Sequence, residues 1–284
     1  MKIQLVECPR DAMQGLHNFV PTALKIDYIN TLLSVGFDTL DFGSFVSPKA
    51  IPQMKDTAEV LEKLEWTTAT KLLAIVANVR GAEQAVAFDK ITYLGFPLSI
   101  SETFQQRNTN ASIAEALQTI ATIQELCLKH HKTLVVYLSM GFGNPYGDDY
   151  SVQYLVDFTA KLARLGVHIV APSDTVGSST PVLIKNVFEM LIPAFPEINF
   201  GAHLHATPDT HLEKLEAAVE AGCRRFDGAI RGFGGCPMAS DALTGNISTE
   251  HIIDYFENKN VALGINQHAF QQAYDLSAKV FQYE

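Results

Sequence analysis

A (β/α)8 barrel is the architecture this sequence predicts, and three observations carry that prediction. Short apolar runs alternate with longer amphipathic stretches about eight times along the chain, the pattern of repeated βα units. The length, 284 residues, is close to the roughly 250 that one such barrel needs. The turn after the first apolar run reads "ECPRDAMQG", which lacks the glycine-rich phosphate loop expected there in a doubly wound open sheet.

The elements follow in order. "KIQLVE" (2–7) reads as the first strand. Residues 22–35 form a helix whose apolar side is Leu24, Ile26, Ile29, Leu32 and Leu33, with Gly36 as its stop signal. "FDTLDF" (37–42) is the second strand, a helix follows around 56–64, and "KLLAIVAN" (71–78) is the third strand. "RGAEQAVAF" is a short helix before the strand "KITYLGFP". A helix over about 112–130 then leads into the strand "TLVVYLSM" (133–140). Three further pairs follow: "VQYLVDFTAKLARLG" with "VHIVAPSD", "TPVLIKNVFEMLIPAF" with "INFGAHLH", and "HLEKLEAAVEAG" with "RRFDGAI". Helices that end in glycine just before a strand, as in "RLGVHIV", fit the helix-to-strand turn of a barrel. Residues 1–246 are expected to form the barrel, and 247–284 a helical extension packed on it.

Composition narrows the function. With 47% hydrophobic and 18% charged residues and no low-complexity tract, the chain reads as a globular enzyme. A net charge of −10 argues against nucleic acid or an anionic membrane as a partner held by bulk electrostatics, while leaving room for a small anionic ligand. No apolar run reaches the roughly 18 residues of a membrane span, and the opening "MKIQLVECPRD" resembles neither a signal peptide nor a transit peptide. Four irregularly spaced cysteines, Cys8, Cys127, Cys223 and Cys236, suggest thiols in a reducing compartment. A cytoplasmic location is expected.

In a barrel, chemistry sits where strands end and βα loops begin. The first strand ends near Glu7, Arg10 and Asp11, the second near Asp41, the sixth near Asp174, and the seventh at His203 and His205. The loop after the eighth, "GFGGCP", carries Cys236. So many ionisable groups are costly to bury unless they pair with one another or with a cation. From spacing alone, an ion-paired barrel mouth without chemistry and a divalent-metal site both remain open.

The motifs "RDAMQ" (10–14), "SFVSPKAIPQM" (44–54), "SDTVG" (173–177), "HLH" (203–205), "GFGGCP" and "TGN" (244–246) occur in this order. Together they resemble the hydroxymethylglutaryl-CoA lyases, a branch of a metal-dependent barrel superfamily that also contains Claisen-condensing synthases. "RD..Q" and H-x-H mark only the superfamily; "SFVSPK..PQM" and "GGCP" point to the lyase branch. The resemblance covers nearly the whole chain.

The resemblance implies metal ligation by Asp11, His203, His205 and Asn246, an N/O donor set suited to Mg²⁺ or Mn²⁺. It implies that Arg10 stabilises a thioester enolate, that Cys236 delivers a proton to it, and that Asp174 and His203 handle protons. Asp41 and Glu7 take the family's glutamate positions, Glu7 only across a one-residue deletion. Gln14, Ser44, Ser47 and Lys49 are expected to contact substrate. The implied reaction is cleavage of 3-hydroxy-3-methylglutaryl-CoA, or a close 3-hydroxyacyl-CoA, to acetyl-CoA and a keto acid, in a homodimer or higher homo-oligomer.

Three departures stand out. Ala206 follows the second histidine where the family typically has aspartate, and loss of such a supporting group can cost about 10- to 100-fold in metal affinity or activity. Arg231 replaces a small residue, and the segment between Cys236 and Asn246 is about one residue longer than usual. A Claisen-type synthase and a non-catalytic acyl-CoA-binding barrel are the alternatives. The short stretch after Asn246 disfavours the synthase, which usually carries added C-terminal domains.

Overall fold

The computed structural model describes residues 2–66, 69–235 and 244–283. Eight parallel strands close into a barrel: β1 (Gln4–Glu7), β2 (Thr39–Ser44), β3 (Lys71–Ile75), β4 (Ile91–Ser99), β5 (Thr133–Ser139), β6 (Ile169–Asp174), β7 (Asn199–Ala206) and β8 (Arg225–Gly228). Each strand pairs with the next and β8 returns to β1, with Gln4 opposite Arg225 and Glu7 opposite Gly228. A ninth strand, β9 (Gly245–Asn246), lies antiparallel on β7.

The helices are α1 (Pro9–Gln14), α2 (Thr22–Leu33), α3 (Thr57–Glu62), α4 (Val79–Val86), α5 (Glu102–Thr109) and α6 (Ile113–Lys129). After them come α7 (Val152–Arg164), α8 (Pro181–Ala194), α9 (His211–Glu220), α10 (Thr249–Asn258) and α11 (Gln267–Val280). Side-chain caps place several starts: Asn78 accepts from the Gly81 amide ahead of α4, and Ser112 with Glu115 forms a reciprocal capping box on α6. Gly36, Gly166 and Gly222 all have positive φ, at 95°, 78° and 97°. These are the glycines that turn α2, α7 and α9 into the following strands, where a side chain would be strained.

All the barrel strands that periodicity predicts are present, with ends shifted by a few residues. Two short helices went unread. One, α1, places Arg10 and Asp11 on a helical turn beyond β1 rather than on the strand's end; the other, α5, follows β4. Both are too short for a 3.6-residue apolar repeat to register.

The main core lies between barrel and helices. A separate cluster of Leu73, Ile75, Val135, Tyr137, Ile169 and Ala171 fills one side of the barrel interior. The opposite side is polar, because the inward positions of β2, β7 and β8 carry Asp41, His203, Arg225 and Asp227. In the tail, α11 packs on α2, where the Tyr28 and Phe281 rings meet edge-on at 6.3 Å. No helix among the described residues is long and apolar enough to cross a membrane.

Candidate active site

A cavity of about 360 Å³ opens at the carboxyl ends of the strands, lined among others by Arg10, Asp11, Gln14, His203, His205 and Gly235. Donor atoms of Asp11, His203 and His205 lie within 4.8 Å of one another, all three residues buried by their surroundings or nearly so. The β7–β9 pairing sets His205 opposite Asn246. The Asn246 amide donates to Asp11 Oδ2 at 2.7 Å and to the Phe233 carbonyl at 2.9 Å, which leaves its oxygen as the remaining acceptor.

Both imidazoles are oriented from behind. His205 Nδ1–H donates to the Thr175 carbonyl at 3.1 Å, and a carbonyl can only accept, so Nε2 is unprotonated. That Nε2 is buried without a hydrogen-bond partner. Burial and the neighbouring His203 push the His205 pKa down to about 4, so the ring is neutral at pH 7. A neutral imidazole with an orphaned nitrogen beside a carboxylate is a donor set that fits a divalent cation. His203 Nδ1–H donates to Asp227 Oδ2 at 3.2 Å, and Asp227 Oδ1 accepts from Arg225 at 2.9 Å. Burial lowers the His203 pKa, but the hydrogen bond and charge of Asp227, with the charge of Asp11, outweigh it and the net shift is upward.

Arg10 is held almost without freedom. Its Nε donates to both Asp41 oxygens at 3.2 and 3.0 Å, Nη2 donates to Asp41, and Nη1 donates to Asp11 at 3.1 Å and to Gln14 at 2.8 Å. Burial pushes Asp41 up to about 6 despite the guanidinium. Burial also raises Asp11, but Arg10, the two histidines and Asn246 outweigh it and hold the carboxyl below its usual range. The glycine loop crosses directly over this cluster. Gly234 has φ +94°, and a Cβ there would sit 2.6 Å from Asn246 Nδ2 and 3.0 Å from the Asp11 carbonyl, so only glycine fits.

The other expected site residues lie behind the cavity or beside it. Asp174 is 1% exposed and does not line the cavity; it accepts from the Ser179 amide at 3.1 Å and from Lys214 Nζ at 2.8 Å. Lys214 spends its other two N–H groups on the carbonyls of Gly177 and His205, at 2.8 and 2.9 Å. Ser44 is buried, donating to the Ile75 carbonyl at 3.3 Å. Ser44, Ser47 and Lys49 line a neighbouring concavity. Cys236 lies outside the described residues; Gly235 just before it lines the cavity.

Glu7 sits beneath the β8–α10 connection, accepting from the Ile230 amide at 2.9 Å and from the Thr249 hydroxyl. Burial pushes its pKa from 4.5 up to about 8, with those two donors pulling the other way. The folded chain then keeps a proton that the unfolded chain has lost, so this residue's contribution to stability falls as pH rises from 4.5 toward about 8. Glu7→Gln, which mimics the protonated acid, is expected to melt above the wild type at pH 8 and alongside it at pH 4.5. Parallel thermal scans that coincide at both pH values would overturn this.

Residues that sequence reasoning passed over are Thr175, Lys214, Arg225 and Asp227. An Asp and an Arg inside the apolar eighth strand were a readable signal; Lys214 on an amphipathic helix gave none.

Two of the three departures from the family pattern now have a location; the third, the longer segment between Cys236 and Asn246, falls mostly outside the described residues. Ala206 is buried beside Gly245 in the β7–β9 pairing, while Asp227 and Thr175 hold the histidine rings. Arg231 points away from the cavity: its Nε donates to Ser277 Oγ at 2.8 Å, its Nη2 donates to the Tyr274 carbonyl at 3.1 Å, and its guanidinium lies 3.9 Å from the Tyr274 ring centroid. It ties α11 to the loop after β8.

Residues 2–276 match the HMGL-like family. The chain belongs to the HMGL-like family. Among its relatives are the hydroxymethylglutaryl-CoA lyase YngG of Bacillus subtilis, 31% identical over 90% of this chain and 85% of the relative. Another is a 3-hydroxy-3-isohexenylglutaryl-CoA/hydroxymethylglutaryl-CoA lyase of Pseudomonas aeruginosa, 30% identical over 96% of this chain and 90% of the relative. The crystal structure of an HMG-CoA lyase from Brucella melitensis superposes with a TM-score of 0.91 at 28% identity, covering 99% of both chains. One from Acinetobacter baumannii, in complex with coenzyme A and 3-methylmalate, superposes at 0.90 with 31% identity over 98% of this chain and 91% of that one. Members of this family carry out carbon–carbon lyase chemistry with a divalent metal, and the Asp11–His203–His205 cluster provides a place for one here.

Proposed function

We propose that this protein is a hydroxymethylglutaryl-CoA lyase, cleaving 3-hydroxy-3-methylglutaryl-CoA to acetyl-CoA and acetoacetate. The observation that carries the reading is the orphaned, neutral His205 nitrogen beside Asp11 and His203, under a cavity into which a fully restrained Arg10 also reaches. Asp11, His203, His205 and Asn246 would hold Mg²⁺ or Mn²⁺. When bound, such a cation lowers the pKa of the substrate's 3-hydroxyl and orients the bond to be broken.

The chain's own groups supply the rest. Arg10, fixed by Asp41 and Gln14, presents a guanidinium that needs no reorganisation to stabilise the enolate oxygen left on the thioester as the C2–C3 bond breaks. His205 is committed to the cation. His203, with Nδ1–H held on Asp227, has only Nε2 to offer, so it would serve either as a ligand or as the base that takes up the hydroxyl proton, not as both at once. Cys236 is assigned the return of a proton to the enolate carbon. Asp174 acts at one remove, positioning His205 through Lys214.

The cavity's apolar wall of Val46, Ala50, Ile51, Ile75, Ala77 and Pro97 also favours a second substrate, one with a longer branch at C3, as the name of the Pseudomonas relative suggests. The described cysteines, Cys8, Cys127 and Cys223, are free and buried, in keeping with a cytoplasmic setting; a homo-oligomer is the expected assembly. Incubation with hydroxymethylglutaryl-CoA and Mg²⁺ or Mn²⁺ is expected to release acetoacetate. Absence of product from every 3-hydroxyacyl-CoA tried, long-branched ones included, would sink the lyase reading.

A further inference from the structure

Across β5, β6, β7 and β8, four adjoining positions inside the barrel run large, small, small, large. Tyr137 lies opposite Ala171, Ser173 opposite His203 and Gly201 opposite Arg225, a register that sets Ala171 beside Gly201. The two small residues make room for a long side chain. A Cβ on Gly201 would sit 2.6 Å from Arg225 Nη1, 3.4 Å from its Cδ and 3.5 Å from Ala171 Cβ. Gly201 lies within β7 and is not among the glycines with positive φ, so what glycine supplies here is space.

Two residues further along β7 and β8, on the same face, stand His203 and Asp227. Arg225 Nη1 donates to Asp227 Oδ1 at 2.9 Å, and Asp227 Oδ2 accepts from His203 Nδ1 at 3.2 Å. The two imidazoles of the cluster are therefore held differently. His205 leans on the Thr175 carbonyl, which the backbone fixes, whereas His203 leans on a carboxylate, which turns about its last torsion unless its other oxygen is held. Arg225 holds that oxygen. Neither Arg225 nor Asp227 lines the acyl cavity, so both act through His203.

Stability does not explain this arginine. A buried ion pair is often no better than apolar residues of similar volume, and one side of the barrel interior is filled that way, by Leu73, Ile75, Val135 and Ile169. Arg225 also leaves Nη2 buried without a hydrogen-bond partner, a cost that an apolar side chain would not carry. We propose that Arg225 is a positioning residue for His203: admitted by Gly201, it locks the Asp227 carboxylate and so fixes where His203 Nε2 points. What that nitrogen then does, as ligand or as base, rests on the lyase reading above.

The His203 Nδ1–H proton tests the assignment. It is observed by NMR in protein carrying isotopically labelled histidine and assigned by its absence from His203→Gln. A resolved, exchange-protected signal is expected in the wild type. In Arg225→Met, and in Gly201→Ala, whose methyl would displace Nη1, the signal is expected to broaden through exchange with water. In both variants Mn²⁺ affinity, measured by calorimetry, or kcat for acetoacetate release is expected to fall by ~10- to 100-fold, the usual loss for a group that orients a ligand. Retention of the wild-type proton signal in folded Arg225→Met, or its loss with Mn²⁺ affinity and kcat both unchanged, overturns the role of Arg225. If Arg225→Met does not fold, Gly201→Ala, which keeps every charge, decides the same question by the same signal. The signal needs neither metal nor substrate, so it also decides the matter in a protein that cleaves no acyl-CoA, an outcome that would overturn the lyase reading alone.

Discussion

His205→Ala is expected to abolish divalent-cation binding and to lower turnover by more than ~100-fold, beyond what losing a mere supporting partner costs. The ring is neutral, its Nδ1–H is committed to the Thr175 carbonyl, and its Nε2 is buried without a partner. Leaving a buried acceptor unmade is unfavourable, so the fold tolerates that nitrogen because something outside the chain completes it. Alanine removes the donor and leaves the β7–β9 backbone pairing in place, so the variant should melt close to the metal-free wild type. Calorimetric titration with Mn²⁺ measures the first effect and acetoacetate release the second. Full activity of the variant in chelator-treated buffer would exclude the ligand set.

Asp174→Ala is expected to cost about 3–5 kcal/mol of unfolding free energy, the usual price of stranding one member of a buried ion pair. Lys214 is 2% exposed, and without Asp174 its ammonium keeps only the Gly177 and His205 carbonyls. Replacing the pair together, as Asp174→Leu/Lys214→Met, removes both charges and should recover most of the loss. Urea unfolding followed by circular dichroism gives both numbers. A single variant as stable as the wild type would show that the pair is not coupled. Because Lys214 also donates to the His205 carbonyl, the single variant is further expected to weaken cation binding, linking the core of the α9 packing to the site.

Much of the fold was legible because its signals are local. Period-two and period-3.6 apolar patterns, together with the glycines ending α2, α7 and α9, record how each segment meets the core regardless of its distant neighbours. The helix α1 was not legible: six residues beginning at Pro9 carry no repeat, yet that turn puts Arg10, Asp11 and Gln14 on one side of the cavity. The candidate site divides in the same way. His203, His205, Asp11, Asn246 and Arg10 stand in recognisable motifs, whereas Asp227 and Lys214 do not, and Thr175 sits in one, "SDTVG", without its carbonyl's role being readable there.

The expectation for Arg231 shows the limit most clearly. In sequence it neighbours "GFGG" and stands where the family has a small residue, but its φ of 64° turns the side chain toward Tyr274 and Ser277 on α11. Likewise Ala206 stands where the family typically has a supporting aspartate, and here the two rings are held by an aspartate on β8 and a carbonyl after β6.

By itself the sequence determined the barrel, the order of its strands and the choice of candidate site side chains, because patterning and motif chemistry are properties of short segments. Only the tertiary structure decided which carboxylates face the cavity and which stand behind it. Those outcomes depend on ring closure, which brings residue 11 beside 246, and on the seating of α9 against the end of β6, which brings residue 174 beside 214; no local pattern encodes either contact.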